Sequence, residues 1–343
     1  VFKRAHTPLD HPIHDPNRIQ ICHASNRIWA NAKVIRARGF NTYPLYGGHV
    51  LKVENVVEDT AVKLLRLAVV ELPKDVKEVL KRAYREEESE AGKTQLKAIL
   101  DNIELAEKTR TPVCQDTGVI IFYVKTGAEA KGLDKIENAL RNATRRATKE
   151  IPLRPNAVDP FTQKNTGDNT GRFVPFIHYE IVPGNTIEIT VMPKGGGSEN
   201  VCALGMVQPG EGVKALKKFV VDTVIKAGAM PCPPTILGVA AGGGSDIAMK
   251  LAKAALLRPL DQPNPDPELA RLEKELYEAA NMTGIGPMGL GGKFTVLGVN
   301  VEYAHRHPAS YPVAVAVQCW AARRASARIH PDGTVEYLTH KVR

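Results

Sequence analysis

Long apolar runs are missing from this chain of 343 residues. No stretch approaches the ~18 uncharged apolar residues that a membrane-spanning helix needs. The most apolar segment, Ala309 to Ala322, is short and carries Ser310 and Gln318. A secretory leader is also missing from the visible start, where Lys3, Arg4 and His6 run into Pro8 and Asp10 instead of an apolar core. Cysteine is scarce. The five cysteines include no CxxC pair, which excludes a disulfide scaffold and zinc fingers and favours a reducing, cytoplasmic setting. Aromatic residues make up only 6%, too few to interleave with basic residues as a stacking platform for nucleic acid. Internal repeats and low-complexity tracts are absent as well.

What is present is a net charge of +9 that is unevenly placed. Residues 1–52 hold Lys3, Arg4, Arg18, Arg27, Lys33, Arg36, Arg38 and Lys52 against only Asp10 and Asp15. Most of the excess therefore belongs to this segment. It shows neither helical nor strand period and is broken by Pro8, Pro12, Pro16 and Pro44. We read 1–52 as a basic, irregular N-terminal extension and 53–343 as the catalytic domain. A phosphate-binding arm would rest on charge alone. The chain opens on Val1 instead of Met, which fits a start that is trimmed or misassigned.

From residue 56 onward the pattern is that of a globular protein. Val57 to Leu72, Asp75 to Glu88 and Thr94 to Ala106 carry apolar residues at three- and four-residue spacing and predict a helical lead-in. Strands are predicted at Val119–Val124, Thr235–Ala240, Phe294–Tyr303, Val313–Cys319 and Ala325–Ile329. Ile177–Val182 and Thr186–Val191 flank Pro183-Gly184-Asn185 and read as a hairpin. Helices are predicted at Leu133–Glu150, Glu211–Ala229, Ser245–Leu257 and Glu268–Asn281. The fold class is thus α/β, with intermixed helices and mixed β-sheets behind a helical lead-in.

The connections hold the unusual residues. Cys114 lies just before one predicted strand, Cys232 just before another, and Cys319 at the end of a third. Taken singly, each reads equally as a small buried apolar residue. Their wide separation still permits a ligand set assembled from three loops. Three thiolates can hold an iron–sulfur cluster and leave one iron without a protein ligand, a Lewis acid open to a carboxylate and a hydroxyl. Arg154 suits a bidentate grip on a carboxylate. The run Pro193-Lys194-Gly195-Gly196-Gly197 lets backbone amides approach an anion. Gly284 to Gly289 imitates a dinucleotide fingerprint, but Pro287 and the strand that follows exclude it.

CQDTG at 114–118, RPNAVDP at 154–160, PKGGGSEN at 193–200, CPPT at 232–235, GPMGLGG at 286–292 and QCWAARR at 318–324 occur in this order. Together they resemble the α subunit of class I, iron–sulfur-dependent fumarate hydratase and its relative L-tartrate dehydratase, from about residue 56 to the end. The resemblance implies a [4Fe–4S] cluster on Cys114, Cys232 and Cys319, with one iron open to substrate. It also implies substrate contacts at Gln115, Arg154 and Gly197, and a general acid, Asp116, paired with His307; His305, two residues away, competes for that last role. Cys22 lies in the unmatched segment, and Cys202 sits on an apolar run and reads as core.

The implied reaction is reversible hydration of fumarate to L-malate. The family's single-chain members continue into a C-terminal domain that carries the threonine base. The resemblance therefore implies that this chain works in a heteromer with a separate β subunit on a small dicarboxylate. L-tartrate or a methylated analogue could replace fumarate. From another class, an electron-transfer iron–sulfur protein stands as the alternative, though such clusters usually have four cysteine ligands.

Overall fold

The computed structural model describes residues 52–341. The reading of the N-terminal segment as an irregular basic extension, Cys22 included, lies outside the described residues. Three helices follow Lys52: α1 (Val53–Val70), α2 (Lys74–Glu86) and α3 (Glu90–Thr109). Val57, Ala61, Leu64, Leu65 and Ala68 form one fully buried stripe on α1, as their spacing requires. Pro73 separates α1 from α2, and the Ser89 side chain caps α3 by accepting from the Gly92 amide at 3.2 Å. The lead-in is helical but divided. With α4 (Leu133–Glu150), α1 covers one apolar core, while α2 and α3 belong to another. None of the helices among the described residues is long and apolar enough to cross a membrane.

In chain order the strands are β1 (Val119–Gly127), β2 (Phe176–Val182), β3 (Ile187–Lys194), β4 (Ala203–Met206), β5 (Thr235–Ala241), β6 (Val296–Tyr303), β7 (Pro312–Gln318), β8 (Ala325–Ile329) and β9 (Val335–Tyr337). The remaining helices are α5 (Gly196–Asn200), α6 (Val213–Ala227), α7 (Ser245–Ala255) and α8 (Pro267–Asn281). The strands form two mixed sheets, in the orders β2-β1-β3-β8-β9 and β4-β7-β5-β6. Only β1–β2 and β5–β6 are parallel pairs.

The expected hairpin does not form. β1 lies between the two runs, parallel to β2 and antiparallel to β3. Ile120, Phe122 and Val124 of β1 enter one core and Ile121 enters the other, so this strand is buried on both faces and takes the interior of the sheet. β2, with Ile181 and Tyr179 exposed, stays at the edge.

In the second sheet β5 and β7 are buried throughout. Ala248 and Ala252 of α7 cover one face; Leu216, Val220 and Val224 of α6 and Leu276 and Ala280 of α8 cover the other.

Residues 319–324 carry the chain from β7 of the second sheet into β8 of the first. Arg324 on this crossing is 4% exposed and donates to Asp75 of α2 at 2.6 Å. The same carboxylate oxygen accepts from the Leu260 amide at 2.9 Å. Removing one partner of a buried pair leaves the other charge uncompensated. Asp75→Ala is therefore expected to cost about 3–5 kcal/mol in denaturant unfolding.

A second buried carboxylate secures the 286–292 loop. Glu87 accepts from the amides of Glu88, Ser89, Lys293 and Phe294 at 2.9–3.1 Å. Burial works to raise its pKa, but these four backbone donors together hold it below the usual carboxylate range. A depressed folded-state pKa contributes stability above the unfolded value, lost as pH falls through the folded one. Glu87→Gln should therefore be less stable than wild type at neutral pH. The gap should close as pH falls below about 4 in urea titrations.

Candidate active site

Four of the singled-out loops meet at one end of the two sheets. The Asp116 carboxylate sits at their junction. Its Oδ1 accepts from the Gly118 amide at 2.9 Å and from Asn156 Nδ2 at 3.4 Å; its Oδ2 accepts from the Gly196 amide at 2.8 Å. Asn156 Nδ2 also donates to the Gly118 carbonyl at 3.2 Å, and Thr117 Oγ1 donates to the Arg154 carbonyl at 3.3 Å. The 114–118, 154–160 and 193–200 motifs are thus tied through Asp116 and its neighbours. The fourth, 318–324, joins through Arg323, which donates to the Asp116 carbonyl.

The cysteines lie around this knot. Cys114 and Cys319 both pack against the core under α2, α3 and α7. Ile236 of β5 stands opposite Gln318 of β7, which brings the segment before β5, with Cys232, and the segment after β7, with Cys319, to the same sheet end. There the Trp320 amide donates to the Cys232 carbonyl at 3.4 Å. Cys232 is exposed, but partial desolvation still pushes its thiol pKa up, and the nearby charge of Cys114 adds to the rise. Burial likewise pushes up Cys319, against the opposing charges of Arg323 and Lys194, with Cys114 again adding to the rise. Cys114 is therefore an electrostatic neighbour of both other thiols. Among the described residues no group of three or more His, Cys, Asp or Glu side chains is spaced to hold a single metal ion.

Cys232 has φ 54°, a left-handed conformation unusual for a residue with a Cβ. Its loop is supported from below, where the Met288 amide donates to the Pro233 carbonyl at 2.7 Å. Glu87 thus steadies the cysteine loop through the 286–292 segment. Cys202 packs against the same core, but backbone engages its sulfur: it accepts from the Val317 amide at 3.4 Å and lies 3.4 Å from the Ser198 carbonyl.

Gln115, Arg154 and Gly197 are exposed beside Asp116. Among the described residues the Arg154 guanidinium makes no ion pair. A Cβ added at Gly197 would come within 3.4 Å of the Met230 carbonyl, next to the Cys232 loop. His307 and His305 are not brought here. They follow β6, and the Gly243 amide donates to the His305 carbonyl at the far end of β5. Seven strand residues at ~3.3 Å each put them roughly 20 Å from the cysteine end. His307 Nδ1 accepts from the Ala309 amide at 3.1 Å and does not touch Asp116. A separate cleft of about 900 Å³, lined by Tyr123, His178, Lys250 and Arg328 among others, contains none of these groups.

The family model described as fumarate hydratase (Fumerase) matches residues 58–328. The chain belongs to this fumarate hydratase family. A protein of Methanocaldococcus jannaschii, provisionally named L(+)-tartrate dehydratase subunit alpha, is 47% identical over 280 residues, 80% of this chain and 98% of that protein. The L(+)-tartrate dehydratase subunit alpha of Escherichia coli strain UTI89 is 40% identical over 270 residues, 78% of this chain and 89% of that protein. The K12 strain protein of the same name is 39% identical over the same length. The family is one of hydro-lyases, and this chain carries its enzyme fold.

For this fumarate hydratase family member, residue-type reasoning passed over Asn156, Asn169, Lys194 and Arg323. Asn156, Lys194 and Arg323 stand inside motifs already singled out, and their polar character there was the available signal. Asn169, at φ 59° and 2% exposed, gives no such sign in the sequence. Its side chain accepts from the Asn156 amide at 2.7 Å and donates to the Arg154 carbonyl at 3.2 Å.

Gly118 is held at φ 84°, where an added Cβ would lie 2.7 Å from the Lys194 amide nitrogen. Gly118→Ala should therefore destabilise the chain by about 2 kcal/mol or more, combining left-handed strain with a backbone clash. The denaturant midpoint checks this.

Proposed function

We propose that this chain is the cluster-bearing α subunit of a hydro-lyase acting on a four-carbon dicarboxylate, completed by a separate β subunit. Reversible hydration of fumarate to L-malate is the reading the family model favours. The names of the relatives favour dehydration of L-tartrate at the same site. The observation that carries the proposal is the Asp116 carboxylate, fixed by two backbone amides and Asn156 two residues from Cys114, whose charge acts on Cys232 and Cys319.

The donor set suits a [4Fe–4S] cluster. A single ion needs all its sulfurs at about 2.3 Å from one point, whereas cluster thiolates bind different irons and stand wider apart. Supporting this, Cys114 is near enough to both Cys232 and Cys319 for its charge to act on their sulfurs, while the sulfur of Cys202 accepts from the Val317 amide. Cys114, Cys232 and Cys319 would hold the cluster, which when bound supplies a Lewis-acidic iron for a substrate carboxylate and hydroxyl. Arg154, exposed and without an ion-pair partner among the described residues, would grip the second carboxylate in the bidentate manner suited to guanidinium. Gln115 and the Gly197 backbone would orient the substrate from either side.

Asp116 would deliver a proton to the departing hydroxyl, and accept one in the hydration direction. Its two backbone hydrogen bonds fix the carboxylate without filling all its lone pairs. His307 has no place in this step within one chain. The base on the opposite side of the substrate would come from the β subunit.

The test is a comparison of dehydration rates for L-malate, L-tartrate and citramalate by the full chain assembled with its β subunit. Asp116→Asn should lower kcat by about 10²–10⁴-fold with substrate still bound, and Arg154→Met should act mainly through KM. The reconstituted chain alone should not turn over. Full hydration activity without a β subunit would overturn the proposal.

A further inference from the structure

Arg323 is the largest fully buried side chain among the described residues, 2% exposed, and it carries a permanent charge. Its one hydrogen bond goes to a neutral group, the Asp116 carbonyl. Its Nε is buried with no partner, as is that of Arg324, so the difference between the two lies in the ion pair alone. Among the described residues no carboxylate lies within ion-pair distance of it. The Asp116 carboxylate and the Arg323 guanidinium both lie against Gly195, close but beyond ion-pair distance of each other, while the carboxylate oxygens accept from the amides of Gly118 and Gly196.

The adjacent residue shows how this fold treats a buried guanidinium when the partner is protein. Arg324 is paired with Asp75 at 2.6 Å. Two consecutive buried arginines thus have opposite provision, one paired and one not. A second buried cation sits on the same side. Lys194 is 3% exposed, with Nζ 2.7 Å from Ser198 Oγ and 3.4 Å from Glu199 Oε2. Glu199 is itself shared with Lys253 at 2.5 Å. Arg323 and Lys194 are both near enough to Cys319 for their charges to act on its sulfur.

A buried unpaired ion costs several kcal/mol, a penalty removed only when opposite charge arrives in the same low-dielectric space. Three thiolates outweigh the positive charge of an oxidised iron–sulfur core and leave a net anion. We infer that Arg323 is a charge-compensating positioning residue, left without a carboxylate in the protein because the loaded three-cysteine centre is its counter-ion. This rests on the reading of Cys114, Cys232 and Cys319 as cluster ligands.

Such a residue has a thermodynamic signature. It burdens the empty chain and strengthens the loaded one. A residue serving only to hold the Asp116 carbonyl would support both alike.

The full chain is compared as wild type, Arg323→Met and Arg323→Lys, each stripped of iron and anaerobically reconstituted. Denaturant midpoints, iron and sulfide content, the rate of iron loss to a chelator, and the cluster's midpoint potential are read. Arg323→Met gives up the Asp116 carbonyl bond together with an uncompensated buried charge; the charge penalty is the larger of the two, so the empty chain should be as stable as wild type or more so. The variant should lose iron about tenfold faster once loaded and shift the potential to more negative values, since loss of a nearby positive charge disfavours reduction. Arg323→Lys should restore most of both. Equal destabilisation of empty and loaded Arg323→Met with unchanged iron loss would overturn the inference, as would failure of the empty Arg323→Met chain to fold while Arg323→Lys folds. A wild-type chain that takes up no iron and sulfide removes the cluster reading and this inference together. A loaded wild type with an indifferent Arg323→Met removes this inference alone.

Discussion

The candidate site depends first on the short crossing from β7 to β8. Six residues carry the chain between two sheets, and two buried guanidiniums leave it in different directions. Arg324 reaches α2 through Asp75, which fixes the crossing to the helical layer. Arg323 reaches the Asp116 carbonyl, which fixes the crossing to the loop before β1. Because Cys319 starts this segment and Cys114 lies two residues before Asp116, the two bonds also set where those thiols lie. Packing alone would not achieve this, since apolar contacts are non-directional and tolerate sliding.

The surrounding loops are arranged as supports of supports. Glu87 gathers four backbone amides and so shapes the 286–292 segment. That segment in turn meets the Pro233 carbonyl and holds Cys232 in its left-handed conformation. Asn169 fixes Asn156, which fixes Asp116. Each link is a hydrogen bond whose loss would leave a buried polar group unsatisfied, a cost of about 1–3 kcal/mol per group. Positioning by such chains is what a site needs when its reacting groups come from loops far apart in sequence.

Much of the fold was legible because it is written in local period. The bounds of α4 and β8 coincide with those read from spacing, and the two strands buried on both faces, β5 and β7, announced themselves as short apolar runs. Pairing was not legible. Ile177–Val182 and Thr186–Val191 alternate as a hairpin should, yet β1 separates them, because a strand buried on both faces outcompetes an exposed one for the sheet interior. The family was legible from six motifs in order, and the fumarate hydratase match over 58–328 bears this out. The supporting residues were less so. Arg323 looks like one of two ordinary basic residues until burial and partners are known, and His307 looked adjacent to the site until strand direction placed it at the opposite end.

The proposed function requires three thiols sharing one iron–sulfur centre with a vacant ligand position. Mössbauer spectroscopy of the full chain, reconstituted with ⁵⁷Fe, tests this most directly. One iron in four should be spectroscopically distinct and should shift when a dicarboxylate is added. Four equivalent irons indifferent to dicarboxylate, or iron bound without sulfide, would contradict it.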